Sequence, residues 1–158
     1  MVALAEFEAF GQAYANDIVR NAKVFAESLA AEGFDVLAES RGYTASHQVL
    51  TRHGAIDSGA GATAAKKLED AGIITNMNML PGDTKAMSPS GLRLGVQELT
   101  RVGMGVREMN EVASLYARVL LHDEDPKAVC QDVHHLKSDF QNVHYCFDSE
   151  TIPAYEGM

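Results

Sequence analysis

Cysteine is scarce in this sequence, which has two, Cys130 and Cys146, among 158 residues. Two cysteines are too few for the disulfide framework of a small secreted protein, so we expect a reduced, cytoplasmic setting. No apolar run approaches the length of a transmembrane helix, so a membrane span is not expected. Glu6 and Glu8 stand where a secretory signal needs basic residues, which predicts that no signal peptide is present.

Basic residues are also few, because 13 Lys and Arg stand against 22 Asp and Glu, giving a net charge of −9. Nucleic acids and anionic lipid surfaces both attract a clustered excess of Lys and Arg, so neither is an expected partner. The chain also lacks a glycine-rich phosphate-binding loop and a nucleophile elbow. Hydrophobic residues make up 46% of the sequence, which is enough to form a packed core.

What the sequence does contain is a strong helical periodicity at both ends. Apolar residues recur every three or four positions from Leu4 to Leu29, which predicts a long first helix ending at Gly33. At about 1.5 Å per residue this helix is roughly 40 Å long, so we expect part of its apolar stripe to pack on a partner or a second copy. Further helices are predicted at 62–71, 109–119 and 126–140, the last capped by Asp125 with Pro126 at its first position.

Short apolar or alternating runs predict four strands, at 34–38, 46–53, 73–76 and 91–96, and residues 79–90 are predicted to be a loop. Strands between helices, with a helix at each end, indicate an α/β (α+β) fold in which helices cover one face of a small sheet. We treat 1–158 as a single domain. Its parts are a leading helix at 1–32, a central unit at 33–121, and a C-terminal helix and tail at 122–158.

Two polar groups, one within a predicted strand and one at a strand end, are candidates for ligand binding. Arg93 alternates with two leucines, so its side chain points away from theirs, and its guanidinium could bind a carboxylate or a phosphate. The alternative is an arginine on a solvated sheet face. Asn76 and Asn78 are two apart at a strand end and can face the same side, where their amides could bind a ligand or could satisfy their own turn.

Cysteine and histidine near the C-terminus form a third candidate. Cys130, His134, His144 and Cys146 are a possible zinc set. The pair His144 and Cys146, however, has a His-x-Cys spacing that zinc fingers do not normally use. We therefore interpret these side chains as partly buried helix residues and predict no metal.

The most specific signal is the run of residues 90–104. It reads Ser-Gly-Leu-Arg-Leu-Gly and continues to Leu-Thr-Arg-Val-Gly-Met. This run closely resembles the C-terminal domain of serine hydroxymethyltransferase, in which a Ser-Gly-Ile-Arg-Ile-Gly-type strand precedes a small-Leu-Thr turn and a Gly-Met segment. Residues 71–78, Ala-Gly-Ile-Ile-Thr-Asn-Met-Asn, resemble that family's Ala-Gly-Ile-x-x-Asn-Lys-Asn segment. The resemblance extends over residues 5–121.

This resemblance implies the two-layer small domain of a fold-type I pyridoxal-phosphate enzyme, with a small, mostly antiparallel sheet and a long N-terminal helix. In the family, the arginine matching Arg93 binds the α-carboxylate of the amino-acid substrate, which fixes the Cα bonds relative to the cofactor ring. The asparagine matching Asn78 contacts the folate cosubstrate. The family's Schiff-base lysine follows a Thr-His run, and none of the six lysines here follows a histidine. Pyridoxal phosphate is therefore expected to be held by a partner large domain, with tetrahydrofolate as the implied cosubstrate.

We interpret the chain as a separate small subunit, or the C-terminal part, of a hydroxymethyltransferase-like enzyme that transfers a one-carbon unit or an aldehyde to an amino acid. It contributes substrate binding but no catalytic residue, and a large pyridoxal-phosphate-binding subunit or domain completes it in an oligomer. Two alternatives stay open. The first alternative is a threonine transaldolase-like transfer without folate, because the lysine between the family's two asparagines is Met77 here. A non-catalytic interaction module with the same fold is the other.

Overall fold

The structure is a computed structural model that describes residues 2–147, apart from the side chain of Val2. In chain order the elements are α1 (Val2–Glu32), β1 (Asp35–Val36), a 3-10 turn (Glu39–Arg41), β2 (Gln48–Arg52), α2 (Ala60–Asp70), β3 (Asn76–Asn78), β4 (Gly91–Gly95), α3 (Gln97–Arg101), α4 (Val106–Leu120) and α5 (Pro126–Ser138). Across these residues, none of the helices combines the length and the apolar character that crossing a membrane requires.

The four strands form one antiparallel sheet in the order β1-β2-β4-β3. Val49 pairs with Leu94, and Thr51 pairs with Leu92. All four side chains are buried, on the face that the helices cover. The expected two-layer α/β architecture with a small antiparallel sheet is therefore confirmed, and the opposite face of the sheet carries the polar residues.

Glycines end the first two helices, and Gly33 does so as predicted. Gly33 has a positive φ of 105°, and the N–H groups of Gly33 and Phe34 donate to the carbonyls of Ala30 and Leu29 at 3.0 and 3.1 Å. This is the Schellman arrangement, in which a left-handed residue satisfies the last carbonyls of a helix. Gly72, with a φ of 77°, ends α2 in the same way.

The predicted start of α5 is also confirmed. The carboxylate of Asp125 accepts the N–H of Lys127 at 3.1 Å, and Pro126 is the first helical residue. A capping carboxylate satisfies an N–H that has no partner within the helix, and proline at this position gives up no hydrogen bond.

Some predicted boundaries were wrong. The third strand is Asn76–Asn78 rather than 73–76, because the N–H of Ile73 already donates to the carbonyl of Leu68 in the C-terminal cap of α2. The first strand has two residues rather than five, since Ala38 has a φ of 64° and leads into the 3-10 turn. The short helix α3 was not predicted.

The long first helix packs into the core with its second half only. Phe25 and Leu29 are buried, whereas Leu4 and Phe7 are 75% and 71% exposed. The segment 141–147 lies against the first half of the helix. The rings of Tyr145 and Phe147 contact those of Tyr14 and Phe10, with centroids 4.9 and 5.5 Å apart. The rest of the predicted tail, 148–158, lies outside the described residues.

Candidate active-site face

Arg93 lies in the middle of β4, which is one of the two inner strands of the sheet. Its neighbours Leu92 and Leu94 are buried, and Arg93 is exposed on the opposite face, as the alternating sequence predicts. Directly across the two ladders stand Asn76 on β3 and Leu50 on β2. Within the described part of the chain, the Arg93 guanidinium has no hydrogen-bond or ion-pair partner.

We call this surface the open face and define it by the side chains of Gln48, Leu50, Arg52, Asn76, Asn78 and Arg93. Glycines at both ends of β4 shape it. A Cβ at Gly91 would lie 2.3 Å from Leu80 Cδ1, and one at Gly95 would lie 2.6 Å from Gln97 Oε1. Because glycine has no side chain, Leu80 and Gln97 can lie over the strand ends and leave a strip around Arg93 uncovered.

The two asparagines share the open face but differ in their surroundings. Asn76 pairs with Arg93, whereas Asn78 pairs with Gly91. The amide of Asn78 donates to the neighbouring carbonyl of Met79 at 2.6 Å. The amide nitrogen of Asn78 therefore satisfies its own turn, which is one of the two roles considered above. Asn76 is the asparagine that lies beside Arg93.

A loop between β3 and β4 borders the face, and two aspartates hold it. The N–H groups of Asp57, Leu80 and Ser90 donate to the carboxylate of Asp83, which keeps the pKa of Asp83 well below its usual range. Asp57 in turn accepts the hydroxyl and N–H of Thr84, and these bonds lower its pKa as well. Sequence reasoning missed this pair, although Pro-Gly-Asp at 81–83 is a turn signal.

The second arginine of the open face is already engaged. Arg52 Nε lies 3.5 Å from a carboxylate oxygen of Asp35, and its Nη1 donates to Ser90 Oγ at 3.3 Å. Ser90 Oγ itself donates to Asp83 at 2.8 Å. Arg52 therefore links strands and loop, and Arg93 is the guanidinium that can receive an anionic ligand.

An open groove of about 720 Å³ adjoins Arg93 at the end of the sheet. It lies beside the segment 72–75, which precedes β3 and does not pair with β4. Apolar side chains of Phe25, Leu94, Leu115 and Val133 line it, and polar residues including Gln48, Asn76 and Arg93 also border it. The groove joins the open face to the packed interior between the helices.

A buried polar cluster lies under the sheet, on its helix side. His53 Nε2 is 2.9 Å from Thr51 Oγ1 and 3.0 Å from Tyr116 Oη. Burial lowers the pKa of His53 to about 4 and raises that of Tyr116. Thr51 and Tyr116 are buried in the core on this face of the sheet, whereas Arg93 lies on the open face.

The cysteines and histidines do not come together. Cys130 lies beside Gly72, whereas His144 lies beside Gly103. No group of three or more potential metal ligands occurs within the region that the structure describes. The interpretation as partly buried helix residues holds for Cys130 only, because Cys146 is buried outside the helices and His134 and His144 are exposed.

The described residues do not fit a bound pyridoxal phosphate. A Schiff-base lysine has to stand in a shielded site beside a phosphate-binding cradle. Five of the six lysines are exposed, and Lys66 and Lys67 are paired with surface carboxylates. The sixth, Lys137, is half-buried at the groove described above and already has an interaction partner. At the start of α2, the N–H groups of Gly59 and Gly61 donate to the carbonyls of Ser88 and Pro89, so they are not available to a phosphate.

A small antiparallel sheet backed by helices, a long leading helix and an arginine on the open face define the small domain of a fold-type I pyridoxal-phosphate enzyme. The family model for serine hydroxymethyltransferase matches residues 2–116. The chain belongs to the serine hydroxymethyltransferase family, and the resemblance inferred from its motifs is confirmed.

Curated relatives extend the similarity along nearly the whole chain. The chain is 51% identical to serine hydroxymethyltransferase of Pyrococcus abyssi, over 94% of this chain and 35% of that protein. It is 52% identical to the same enzyme of Korarchaeum cryptofilum, over 98% of this chain and 36% of that protein. The chain thus spans about a third of the length of the curated relatives it matches.

A solved structure shows the same fold. The crystal structure of L-threonine transaldolase from Pseudomonas fluorescens, in its internal aldimine state, superposes with a TM-score of 0.84 at 34% sequence identity. The match covers 94% of this chain and 33% of the transaldolase. Here too the likeness concerns one part of a larger enzyme.

Proposed function

We propose that this chain is the small, C-terminal part of a serine hydroxymethyltransferase-like enzyme and that Arg93 binds the α-carboxylate of its amino-acid substrate. The observation that supports this proposal is an exposed arginine without a partner among the described residues, at the centre of the open face. The family to which the chain belongs acts on an amino acid, whose carboxylate matches the guanidinium in charge and geometry.

The remaining parts of the active site belong to a large domain or subunit in this proposal. The chain matches about a third of the length of its curated relatives, and its exposed lysines and the start of α2 do not fit the cofactor. The partner would hold pyridoxal phosphate and cover the open face. A neighbouring reading frame that encodes a large domain with a Thr-His-Lys motif and no small domain would support a separate subunit.

In such a complex Arg93 has a binding and orienting role. Its planar guanidinium can hold a carboxylate through two parallel hydrogen bonds, which fix the direction of the substituents on Cα. Covering the open face removes water around the pair and strengthens the contact. Asn76 lies on the same side and can contribute a third polar contact.

The second substrate is either tetrahydrofolate, with Asn78 in contact with it, or an aldehyde alone. The likeness to L-threonine transaldolase favours considering the second possibility, as does Met77 in place of the family's lysine. Measuring amino-acid turnover with and without tetrahydrofolate in the complex separates these two candidates.

The proposal is tested with Arg93→Ala and Arg93→Lys in a complex with the large domain. Loss of a guanidinium that binds a carboxylate in a site without water weakens binding by about 2–5 kcal/mol. We therefore expect a large loss of amino-acid turnover and little change in the melting temperature. Arg93→Lys keeps the charge but removes the bidentate geometry. Arg107→Lys is the matched control, because Arg107 is an exposed helix arginine paired only with its neighbour Glu108 among the described residues.

Amino-acid kinetics and a thermal melt are measured side by side for each variant. A solvated arginine without a ligand would change stability by about 0.5 kcal/mol or less and leave turnover unchanged. Unchanged kinetics in both Arg93 variants would contradict the proposal and favour a non-catalytic module.

A further inference from the structure

We propose that the groove beside Arg93 binds a monocarboxylate with a bulky apolar body, whose carboxylate contacts Arg93 while its apolar part enters the groove. This ligand is distinct from the amino-acid substrate but competes with it for the same guanidinium. The inference shares Arg93 with the proposed function, and it requires neither the cofactor nor the large domain.

The groove exists because the sheet loses one of its strands at this point. The β3–β4 ladder ends at the pair Asn76 and Arg93. Upstream, Ile73 belongs to the cap of α2, where its N–H donates to Leu68. The second half of β4 therefore has no neighbour on that side, and a volume of about 720 Å³ is left between it and the helices. This volume lies within the range of about 300–1,000 Å³ that is typical of small-molecule sites.

The walls are apolar and come from four different elements. Phe25 of α1, Leu94 of β4 and Leu115 of α4 are buried core residues, and Val133 of α5 is half-buried. Side chains fixed by core packing form a site that needs little rearrangement before a ligand enters. An aromatic ring or a branched chain is the kind of group that such walls accept.

The polar border selects the charge of the ligand. Arg93 and the half-buried Lys137 carry positive charges, and Gln48 and Asn76 add amides. Thr75 also lines the groove, and its Oγ1 is buried without a hydrogen-bond partner in the described structure. Glu98 borders the groove as well, so the charged side chains around it sum to one positive charge, and the Glu98 carboxylate opposes a second negative charge on a ligand. The arrangement therefore favours one carboxylate rather than two.

The test is a titration of the 158-residue chain with three probes, followed by NMR. The probes are 3-phenylpropionate, propionate, which lacks the ring, and 3-phenylpropanamide, which lacks the charge. We expect 3-phenylpropionate to bind at least about tenfold more tightly than either control, which corresponds to about 1.4 kcal/mol. Arg93→Gln should reduce its affinity to that of the amide, and glycine at high concentration should displace it. Equal affinities for the acid and the amide would overturn the proposal.

The position of the ring is tested in two ways. Val133→Phe fills the groove and should abolish the advantage of the ring, whereas Val106→Phe, at an exposed position of α4, should not. Should a melt show that Val133→Phe is unfolded, intermolecular NOEs in the wild-type chain decide instead. NOEs from the ring to Leu115 and Val133 methyl groups support the site, and NOEs only to other surfaces contradict it.

The two proposals can fail independently. If 3-phenylpropionate does not bind the chain while the complex with the large domain uses amino acids through Arg93, the groove site is wrong and the proposed function stands. If 3-phenylpropionate binds through Arg93 while the complex shows no amino-acid use, the groove site stands and the proposed function is wrong.

Discussion

Asn76 lies directly opposite Arg93 across the β3–β4 ladder, and both side chains are on the open face of the sheet. Opposed residues in an antiparallel pair have Cβ atoms about 4.5–5.5 Å apart, so a change at one position acts on the other. The neutral amide of Asn76 leaves the guanidinium of Arg93 available, and this relationship yields a direct test of the site.

Asn76→Asp should place a carboxylate opposite Arg93 and occupy its guanidinium. We expect unchanged or slightly raised stability, by about 0.2–1 kcal/mol, because opposite charges across a ladder attract. Carboxylate ligands and amino-acid substrates should bind more weakly. The control is Asn78→Asp, which lies opposite Gly91. Ligand titrations and melts of both variants check the prediction, and equal effects of the two substitutions would contradict it.

The isolated chain should not retain pyridoxal phosphate. Exposed lysines react only weakly and reversibly with the aldehyde, and the half-buried Lys137 is already engaged. The start of α2 leaves no cradle for the phosphate. After incubation and dialysis we expect no cofactor absorbance. A borohydride-reducible Schiff base at one defined lysine would show that the chain holds the cofactor by itself.

His53 should make the chain sensitive to mild acid. Its folded pKa, about 4, lies below the ordinary value of 6.5, so the unfolded chain binds the proton more readily. The stabilisation that neutral His53 contributes is complete above about pH 6.5 and is lost as the pH falls toward 4. The loss is on the order of 2 kcal/mol, which is less than the full pKa shift would give, because the ring is partly exposed.

Urea unfolding of the chain at a series of pH values measures this effect. His53→Gln keeps a hydrogen-bonding group near Thr51 and Tyr116 but cannot take up the proton, so its stability should be nearly constant between pH 6.5 and 4.5. His134→Gln, at an exposed position, is the control and should keep the wild-type profile. Equal acid sensitivity in all three chains would assign the effect to other groups.

The exposed half of α1 should bind the large domain or a second copy of the chain. Leu4 and Phe7 are exposed on one helix, where two large apolar side chains gain by burial against a partner. Phe7→Ser should leave the melt of the isolated chain nearly unchanged but weaken association by about 1–3 kcal/mol. Sedimentation or titration with the large domain measures it. Glu8→Ser, on the same exposed segment, is the control, and equal affinity of both variants would remove this interface.

Local chemistry in the sequence determined much of the fold. The cap of Asp125, the left-handed glycines at 33 and 72, and the alternation around Arg93 depend on residues within a few positions of each other. Hydrogen bonds and side-chain directions at this range follow from backbone geometry alone. The ordered motifs between residues 71 and 104 added the family, which the family model and the relatives confirm.

Tertiary structure decided the rest, because it depends on contacts between distant segments. Strand register determined that Asn76, rather than Asn78, lies opposite Arg93. The strand β3 begins after Ile73, because Ile73 belongs to the C-terminal cap of α2. The early departure of the chain from β4 produced the groove, and packing of Tyr116 against the sheet buried His53. A sequence pattern states which face a side chain prefers, but burial and pKa are set by the neighbours that long-range packing brings to it.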